Sequence, residues 1–191
     1  MKEIMNISDF IVPIYKKGKE FSGTGFISGN ILITASHVVN SSIDYCEFCF
    51  KNEFLSITCK DLLWYEFPES GHEQGENNQY SDLVMYKLTN IDSPLTLTRP
   101  NLTSPCFYQG FSFNEKDKII QLDTYNIVLE NKLCYYFNIG GKCTPIRNCF
   151  QSSKTKNEIC TAGNSGGPLF QENEIIGMLV GTQEDYIRKT F

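Results

Sequence analysis

The sequence predicts an all-β protein. Short runs rich in aromatic and β-branched residues recur along the 191-residue chain, and turn-forming residues separate them. Apolar residues do not recur at helical spacing over any long stretch. With 41% hydrophobic residues the chain can bury a sizeable core, and many short strands of this kind are typical of a sandwich or a barrel.

Ten segments are predicted to form strands, because their residues favour a pleated, half-buried surface. In chain order, the predicted strands are Ile11–Tyr15, Gly25–Ser28, Ile31–Thr34, Tyr45–Phe50, Phe54–Cys59, Leu83–Leu88, Cys106–Phe111, Ile119–Tyr125, Leu133–Phe137 and Ile175–Val180.

A histidine and an aspartate lie at the ends of two of these strands. His37 follows Ile31–Thr34 after small residues, whereas the other histidine, His72, lies in a polar, glycine-containing segment predicted to be an exposed loop. His37 is therefore the better candidate for a positioned base. Asp82 precedes an apolar strand, where a buried carboxylate needs a strong partner such as an imidazole N–H. Taken alone, Asp82 could instead cap the start of its strand.

Residues 163–167 have the sequence Gly-Asn-Ser-Gly-Gly and end directly before an apolar run. Glycines let the backbone turn tightly and leave its N–H groups free, and two such groups beside a hydroxyl can form an oxyanion hole. A serine hydroxyl alone is a poor nucleophile, so Ser165 needs a base and an orienting acid. His37 and Asp82 have the chemistry to supply them.

These segments resemble the three motifs of the chymotrypsin/trypsin-like serine proteases. Residues 34–38, Thr-Ala-Ser-His-Val, are similar to the family's Thr-Ala-Ala-His segment, and residues 81–84, Ser-Asp-Leu-Val, to its aspartate strand. Residues 163–168, Gly-Asn-Ser-Gly-Gly-Pro, resemble the serine motif, with similarity to the HtrA-like and viral branches. The order histidine, aspartate, serine is also the family's order. The resemblance extends from about Phe10 to Thr182.

The resemblance implies two antiparallel six-stranded β-barrels with the active site in the cleft between them. Residues 1–95 would form the barrel that carries His37 and Asp82, and residues 96–191 the barrel that carries Ser165.

The resemblance also implies a role for each site residue. Ser165 would be the nucleophile, His37 the general base and Asp82 the residue that orients the imidazole. The N–H groups of Gly163 and Ser165 would bind the oxyanion. A substrate-binding strand is implied at Val180, Gly181 and Thr182.

Three departures from the family's motifs bear on activation, specificity and the triad. Asn164 stands where digestive members have an aspartate that pairs with a new N-terminal ammonium, and a neutral amide cannot form that ion pair. Ile159 stands at the expected bottom of the specificity pocket, so we expect an uncharged, apolar or small side chain before the cleaved bond. There are two alternatives. The residue at the bottom of the pocket is Glu158, one position earlier, or Ile159 packs in the hydrophobic core. Val180 replaces a serine that donates to the aspartate, which is then expected to depend on the imidazole and backbone N–H groups.

Charge and composition limit the partners. The net charge is −5 and no basic run occurs, so nucleic acid is not an expected partner. No apolar stretch has the length of a membrane span, and no membrane association is expected. Residues 1–10 lack the pattern of a signal peptide, which predicts a cytoplasmic location.

The eight cysteines are expected to be mostly free thiols. Secreted family members carry a cysteine directly after the catalytic histidine, where this chain has Val38, and no signal peptide is predicted. A disulfide near the serine motif stays an alternative, among Cys143, Cys149 and Cys160. Zinc is a further alternative at Cys46, Cys49 and Cys59. Because Cys46 and Cys49 lie in a strand-like alternation, we expect no metal there. We also expect no cofactor.

The sequence thus predicts a serine endopeptidase that cleaves specific protein or peptide substrates through an acyl-enzyme. Its activity would be intrinsic, or controlled by loop ordering or by a regulatory partner protein. One alternative is a catalytically silent, protease-like module that binds peptides in its groove. Another is hydrolysis of small esters.

Overall fold

The computed structural model describes residues 6–39, 42–66, 82–101, 103–130, 135–139, 142–146, 151–153 and 163–180, with backbone only for 130 and for the three ranges between 135 and 153. Nearly all of the regular structure in these ranges is β-strand, which confirms the all-β prediction. The helices there include the 3-10 turns Ile7–Phe10 and Cys59–Asp61 and the four-residue helix α1 (Ser36–Val39). None of them has the length and apolar character that a membrane crossing requires.

A curled antiparallel sheet forms the first half of the fold. Its strands are β1 (Ile11–Lys16), β2 (Glu20–Ser28), β3 (Ile31–Thr34), β4 (Tyr45–Phe50), β5 (Glu53–Thr58), β6 (Leu62–Glu66) and β7 (Leu83–Lys87). They lie in the order β5-β4-β1-β2-β3-β7-β6, which is seven strands where six were expected. Strand β6 was not predicted, because Leu63, Trp64 and Tyr65 are all exposed at the sheet edge and so show no alternation.

The second half contains another antiparallel sheet and a separate hairpin. The remaining strands are β8 (Cys106–Asn114), β9 (Ile119–Glu130), β10 (Tyr135–Ile139), β11 (Lys142–Ile146), β12 (Gln151–Ser153), β13 (Pro168–Gln171) and β14 (Glu174–Met178). Five of them form a sheet in the order β12-β9-β8-β13-β14, and β10 pairs with β11. The domain boundary between residues 95 and 96 stays a prediction.

A tight turn sets the register of β4 and β5. Lys51 and Asn52 both have positive φ, 49° and 66°, between the paired residues Phe50 and Glu53. A two-residue loop with positive φ at both positions matches the right-handed twist of a hairpin. The resulting alternation buries Cys46 and Phe48 on one face of β4.

Because side chains alternate along a strand, Cys46 and Cys49 lie on opposite faces of β4 and cannot bind one metal ion together. Across the described residues there is no group of three or more His, Cys, Asp or Glu side chains that could hold a metal ion. Four cysteines are free thiols, namely Cys46, Cys49, Cys59 and Cys106. The side chains of the other four are outside the described part of the chain: Cys134, Cys143, Cys149 and Cys160.

The main hydrophobic core belongs to both sheets. It is built mostly from β1 to β7, but the fully buried Phe170 of β13 and Ile175 of β14 belong to the same cluster. Val38 and Val39 of α1 are also buried in it, at 2% and 1% exposure. Burying one such side chain contributes about 1.5–3 kcal/mol, so this core holds α1 firmly against the sheet.

Thr24 of β2 joins the two sheets by hydrogen bonds. Its N–H donates to the Ser165 carbonyl at 2.9 Å. Its Oγ1 donates to the Gly163 carbonyl at 2.8 Å and accepts from the Phe111 N–H at 2.7 Å. Its carbonyl accepts from Thr34 Oγ1 at 2.6 Å. Each polar atom of this fully buried residue is therefore used, and three of the four bonds reach the second half of the chain.

We predict that alkaline pH destabilises the fold through Cys46. Burial raises the pKa of the Cys46 thiol from 9.0 to about 12, and burial beside Cys46 also raises the pKa of Tyr86. The folded state therefore holds these protons more tightly than the unfolded state. The stability is fully present below the thiol's unfolded value of 9.0 and falls as pH rises towards 12. The expected slope is up to about 1.4 kcal/mol per pH unit for each group.

Urea unfolding across this pH range measures that slope. Cys46→Ala should make it shallower, whereas Cys59→Ala, at an exposed thiol, should leave it unchanged. Equal slopes in the wild type and Cys46→Ala would contradict the assignment to Cys46.

Thr24→Val should loosen the joint between the sheets. Valine has the same shape but no hydroxyl, so the Gly163 carbonyl and the Phe111 N–H each lose a partner. We expect unfolding to become easier by about 1–3 kcal/mol. Thr103→Val is the matched control, because that exposed hydroxyl donates only to Asn101 Oδ1. Denaturant unfolding measures the free energy of unfolding of both variants. Equal values for Thr24→Val and Thr103→Val would refute the role of Thr24.

Candidate active site

His37 and Asp82 form a hydrogen-bonded pair at the end of β3. The buried residues Val38 and Val39 fix α1 against the core, and His37 lies on its outer side with 31% of its side chain exposed. The Asp82 side chain is only 4% exposed, and its Oδ2 lies 2.7 Å from His37 Nδ1. When Nδ1 donates to the carboxylate, Nε2 is the ring nitrogen that carries the lone pair.

The pairing of β3 with β7 brings these residues together. Thr34 pairs with Val84, and extending this antiparallel register by two residues places Ser36 opposite Asp82. The Ser36 N–H accordingly donates to the Asp82 carbonyl at 3.2 Å. Asp82 has a φ of 46°, in the left-handed region that aspartate tolerates better than most residues.

A buried carboxylate needs several donors, and α1 supplies them to Asp82. Ser36 Oγ donates to Oδ1 at 2.6 Å, and the His37 N–H donates to the same oxygen at 3.0 Å. The expectation that only the imidazole and backbone N–H groups serve this aspartate is therefore corrected. Val180 indeed has no hydroxyl, but Ser36 provides one from the residue directly before His37.

The backbone around Ser165 forms a tight turn that only glycine permits at one position. The Gly167 N–H donates to the Asn164 carbonyl at 3.0 Å, and the Gly166 N–H donates to the Leu179 carbonyl at 2.7 Å. Gly166 has a φ of 86°, and a Cβ there would collide with the Thr24 carbonyl and with Thr34 Oγ1. The glycine after the serine is thus required both by its conformation and by the close approach of β2.

Ser165 and α1 meet at Gly23 of β2. A Cβ built on Gly23 would lie 2.8 Å from the Val38 methyl groups and 3.1 Å from the Ser165 carbonyl oxygen. Ser22 Oγ, next in the strand, donates to the Val38 carbonyl at 2.6 Å. The Ser165 backbone therefore contacts β2 at the same point as the residue that follows His37.

Gly163 and Asn164 are held by both halves of the fold. Gly163 has a φ of 101°, and the Phe21 ring packs so closely against it that a Cβ would collide. Asn164 is fully buried, and its Nδ2 donates to the Phe111 carbonyl at 3.0 Å. The neutral amide of Asn164 therefore has a backbone carbonyl as its partner.

Part of the predicted site is outside the described residues. Val180 is half-buried just beyond β14. Five further residues of the sequence prediction lie outside the described residues, namely His72, Glu158, Ile159, Gly181 and Thr182.

Sequence reasoning missed two residues that the structure places at the site, Ser36 and Thr24. In the sequence, Ser36 is one of the small residues between a strand and His37, and this pattern does not indicate a role. Its hydrogen bond to Asp82 follows from the register of β3 with β7. Thr24 lies between two glycines, and that pattern indicates close backbone packing without naming what approaches.

The comparisons with known proteins find similarity in structure alone. No protein-family model matches the chain, and no curated protein matches it either. The serine protease of a human pathogenic astrovirus is 17% identical, with a TM-score of 0.55, covering 91% of this chain and 84% of its own. The inactive form of the Rv3671c protease of M. tuberculosis is 15% identical, with a TM-score of 0.60. The match covers 92% of this chain and 79% of that one.

A third similar structure is the inactivated protease paralogue S-I1 of the scabies mite. It is 14% identical, with a TM-score of 0.55, and the match covers 96% of this chain and 95% of that one. Such low identities establish a shared fold and leave the chemistry to be argued from the residues. The chain has the chymotrypsin-like fold of the trypsin-like serine proteases, as its sequence motifs predicted.

Proposed function

We propose that this protein is a serine endopeptidase in which Ser165, His37 and Asp82 form the catalytic triad. The observation that carries the proposal is the 2.7 Å hydrogen bond between His37 Nδ1 and Asp82 Oδ2. It is made on a helix whose next residue, Val38, packs beside the backbone of Ser165 at Gly23. A buried acid, a partly exposed imidazole and a serine in a glycine-rich turn are the groups that acyl transfer needs.

In the proposed reaction, Ser165 Oγ attacks the peptide carbonyl carbon while His37 Nε2 takes the hydroxyl proton. The tetrahedral intermediate collapses, the C–N bond breaks, and His37 gives its proton to the departing amine. Water then attacks the acyl-enzyme, and His37 takes a proton from it. When the ester C–O bond breaks, that proton returns to Ser165 Oγ. Asp82 stabilises the imidazolium throughout without itself becoming protonated.

The oxyanion would be bound by the N–H groups of Gly163 and Ser165. The turn that carries these groups is fixed by the positive φ of Gly163 and by the hydrogen bond that its carbonyl accepts from Thr24 Oγ1. One such donor is typically worth about 2.7–4 kcal/mol of transition-state stabilisation.

An extended substrate would pair with the chain beyond β14, at Val180, Gly181 and Thr182. We further propose that Ile159 lines the pocket for the side chain before the cleaved bond. An isoleucine offers no charge to an arginine or lysine, so an uncharged, apolar or small residue is preferred there.

A second candidate function is a catalytically silent module that binds peptides. The similarity to the inactivated protease paralogue of the scabies mite favours it, because that name shows that this fold occurs without activity. Against it stands the buried charge of Asp82, with 4% side-chain exposure and a bond to His37. A pure binding module gains nothing from an aspartate and histidine held in this geometry.

Labelling with a fluorophosphonate probe should separate these functions. The wild type is expected to label at one serine, and Ser165→Ala should not label, because the phosphonate bonds only to an activated hydroxyl. Intact mass spectrometry and peptide mapping give the site. Ser28→Ala, whose hydroxyl donates to the Leu95 carbonyl, is the control and should label as the wild type does. Equal labelling of the wild type and Ser165→Ala would refute the nucleophile, and a folded protein that binds peptides without labelling would favour the binding module.

Cleavage of a peptide library should show an uncharged residue before the cut. Mass spectrometry of the products measures the preference, with Ser165→Ala as the background. Dominant cleavage after arginine or lysine would contradict the proposed pocket. It would indicate that Glu158, and not Ile159, lies at the bottom of the specificity pocket.

A further inference from the structure

We infer that Ser36 is a positioning residue for the triad, which holds the Asp82 carboxylate so that one oxygen faces the His37 ring. The inference rests on the proposed function for its catalytic consequence. Its structural basis is the 2.6 Å hydrogen bond from Ser36 Oγ to Asp82 Oδ1, made by a fully buried hydroxyl.

The two carboxylate oxygens of Asp82 have separate partners. Oδ1 accepts from Ser36 Oγ and from the His37 N–H, and Oδ2 faces His37 Nδ1. Rotation of the carboxylate about its Cβ–Cγ bond would break bonds at both oxygens. Two donors on Oδ1 therefore fix the orientation of Oδ2, and with it the plane and tautomer of the imidazole.

Because the site is buried, water cannot easily replace the hydrogen bond that Ser36 donates to Asp82. Both Ser36 and Asp82 are almost fully buried, at 0% and 3% exposure, so solvent cannot readily take the place of the hydroxyl. A hydroxyl bonded to a carboxylate is a charge-assisted donor, roughly twice as strong as a neutral one. If the hydroxyl is removed, Oδ1 retains only the longer, 3.0 Å bond from the His37 N–H.

The chain's own sequence explains why this donor matters here. Val180 stands where the resemblance implies a serine donor, and its side chain has no donor group. Ser36 supplies an equivalent hydrogen bond from α1, and because it is the residue next to His37, the acid and the base are positioned by the same turn of backbone. Any movement of α1 therefore carries the donor and the imidazole together.

The first test compares rates of fluorophosphonate labelling. Ser36→Ala should label about 10- to 100-fold more slowly than the wild type, the range expected when a hydrogen bond to a charged group is lost. Ser36→Cys, which is slightly larger and keeps a weak donor, should label at a rate between the two. Ser28→Ala, the control for loss of a serine hydroxyl outside the site, should label at the wild-type rate.

A double-mutant cycle distinguishes positioning from a general effect on the fold. If Ser36 acts through the carboxylate, Ser36→Ala should cost less than about threefold in an Asp82→Ala background, where no side-chain oxygen remains to accept the hydroxyl. A full 10- to 100-fold cost in that background would show a structural role and overturn the inference.

A spectroscopic readout keeps the test independent of activity. The chain has two histidines, so in protein labelled with ¹⁵N-histidine the His72→Gln variant assigns the ring signals. The Nδ1–H proton of His37 should resonate far downfield in the wild type, and Ser36→Ala should shift or broaden that resonance. If the signal responds but no variant labels, positioning stands and the proposed protease function fails. If the signal and the labelling rate are both unchanged, the inference is wrong.

Discussion

The joint at Thr24 is the interaction on which the site depends. A chain that folds into two sheets must align them to within a fraction of an ångström if groups on each are to react together. Thr24 achieves this with its N–H, carbonyl and hydroxyl, which bind Ser165, Thr34, Gly163 and Phe111. Because the N–H, carbonyl and hydroxyl of Thr24 are all hydrogen-bonded, the position of β2 determines the position of the turn that carries Ser165.

The buried charge of Asp82 imposes the second constraint. Its carboxylate is stable in the interior only because α1 directs a hydroxyl, an amide and an imidazole at it. The backbone of Asp82 adopts a left-handed conformation to reach them. Strain of this kind persists where surrounding structure over-determines it, and here the pairing of β3 with β7 on one side and the buried valines of α1 on the other do so.

The sequence was sufficient where local pattern and burial agree. Each of the ten predicted strands coincides with a strand of the structure, although β2 and β9 are five residues longer than predicted. Continuous apolar runs in β1 and β3 and the alternation in β4 are strong strand signals. It was insufficient at β6, β11, β12 and β13, which had no predicted counterpart. In the edge strand β6 the exposed Leu63 and Trp64 carry no periodicity. The pairing of His37 with Asp82 was predicted from chemistry, but the partners of Ser36 and Thr24 depend on register and on the packing of distant segments. Those are properties of the assembled sheets, and no single stretch of sequence encodes them.

The joint at Thr24 also has a consequence for the order of events in folding. Thr24 and Gly163 are 139 residues apart in sequence, so their bond closes one of the longest loops the chain can make. Contacts of such separation form late, because the entropy of loop closure must be met before they can stabilise anything. During synthesis, β2 leaves the ribosome long before its partner exists. The turn that carries Ser165 is therefore held in place only after both halves of the chain have been made and have folded against each other.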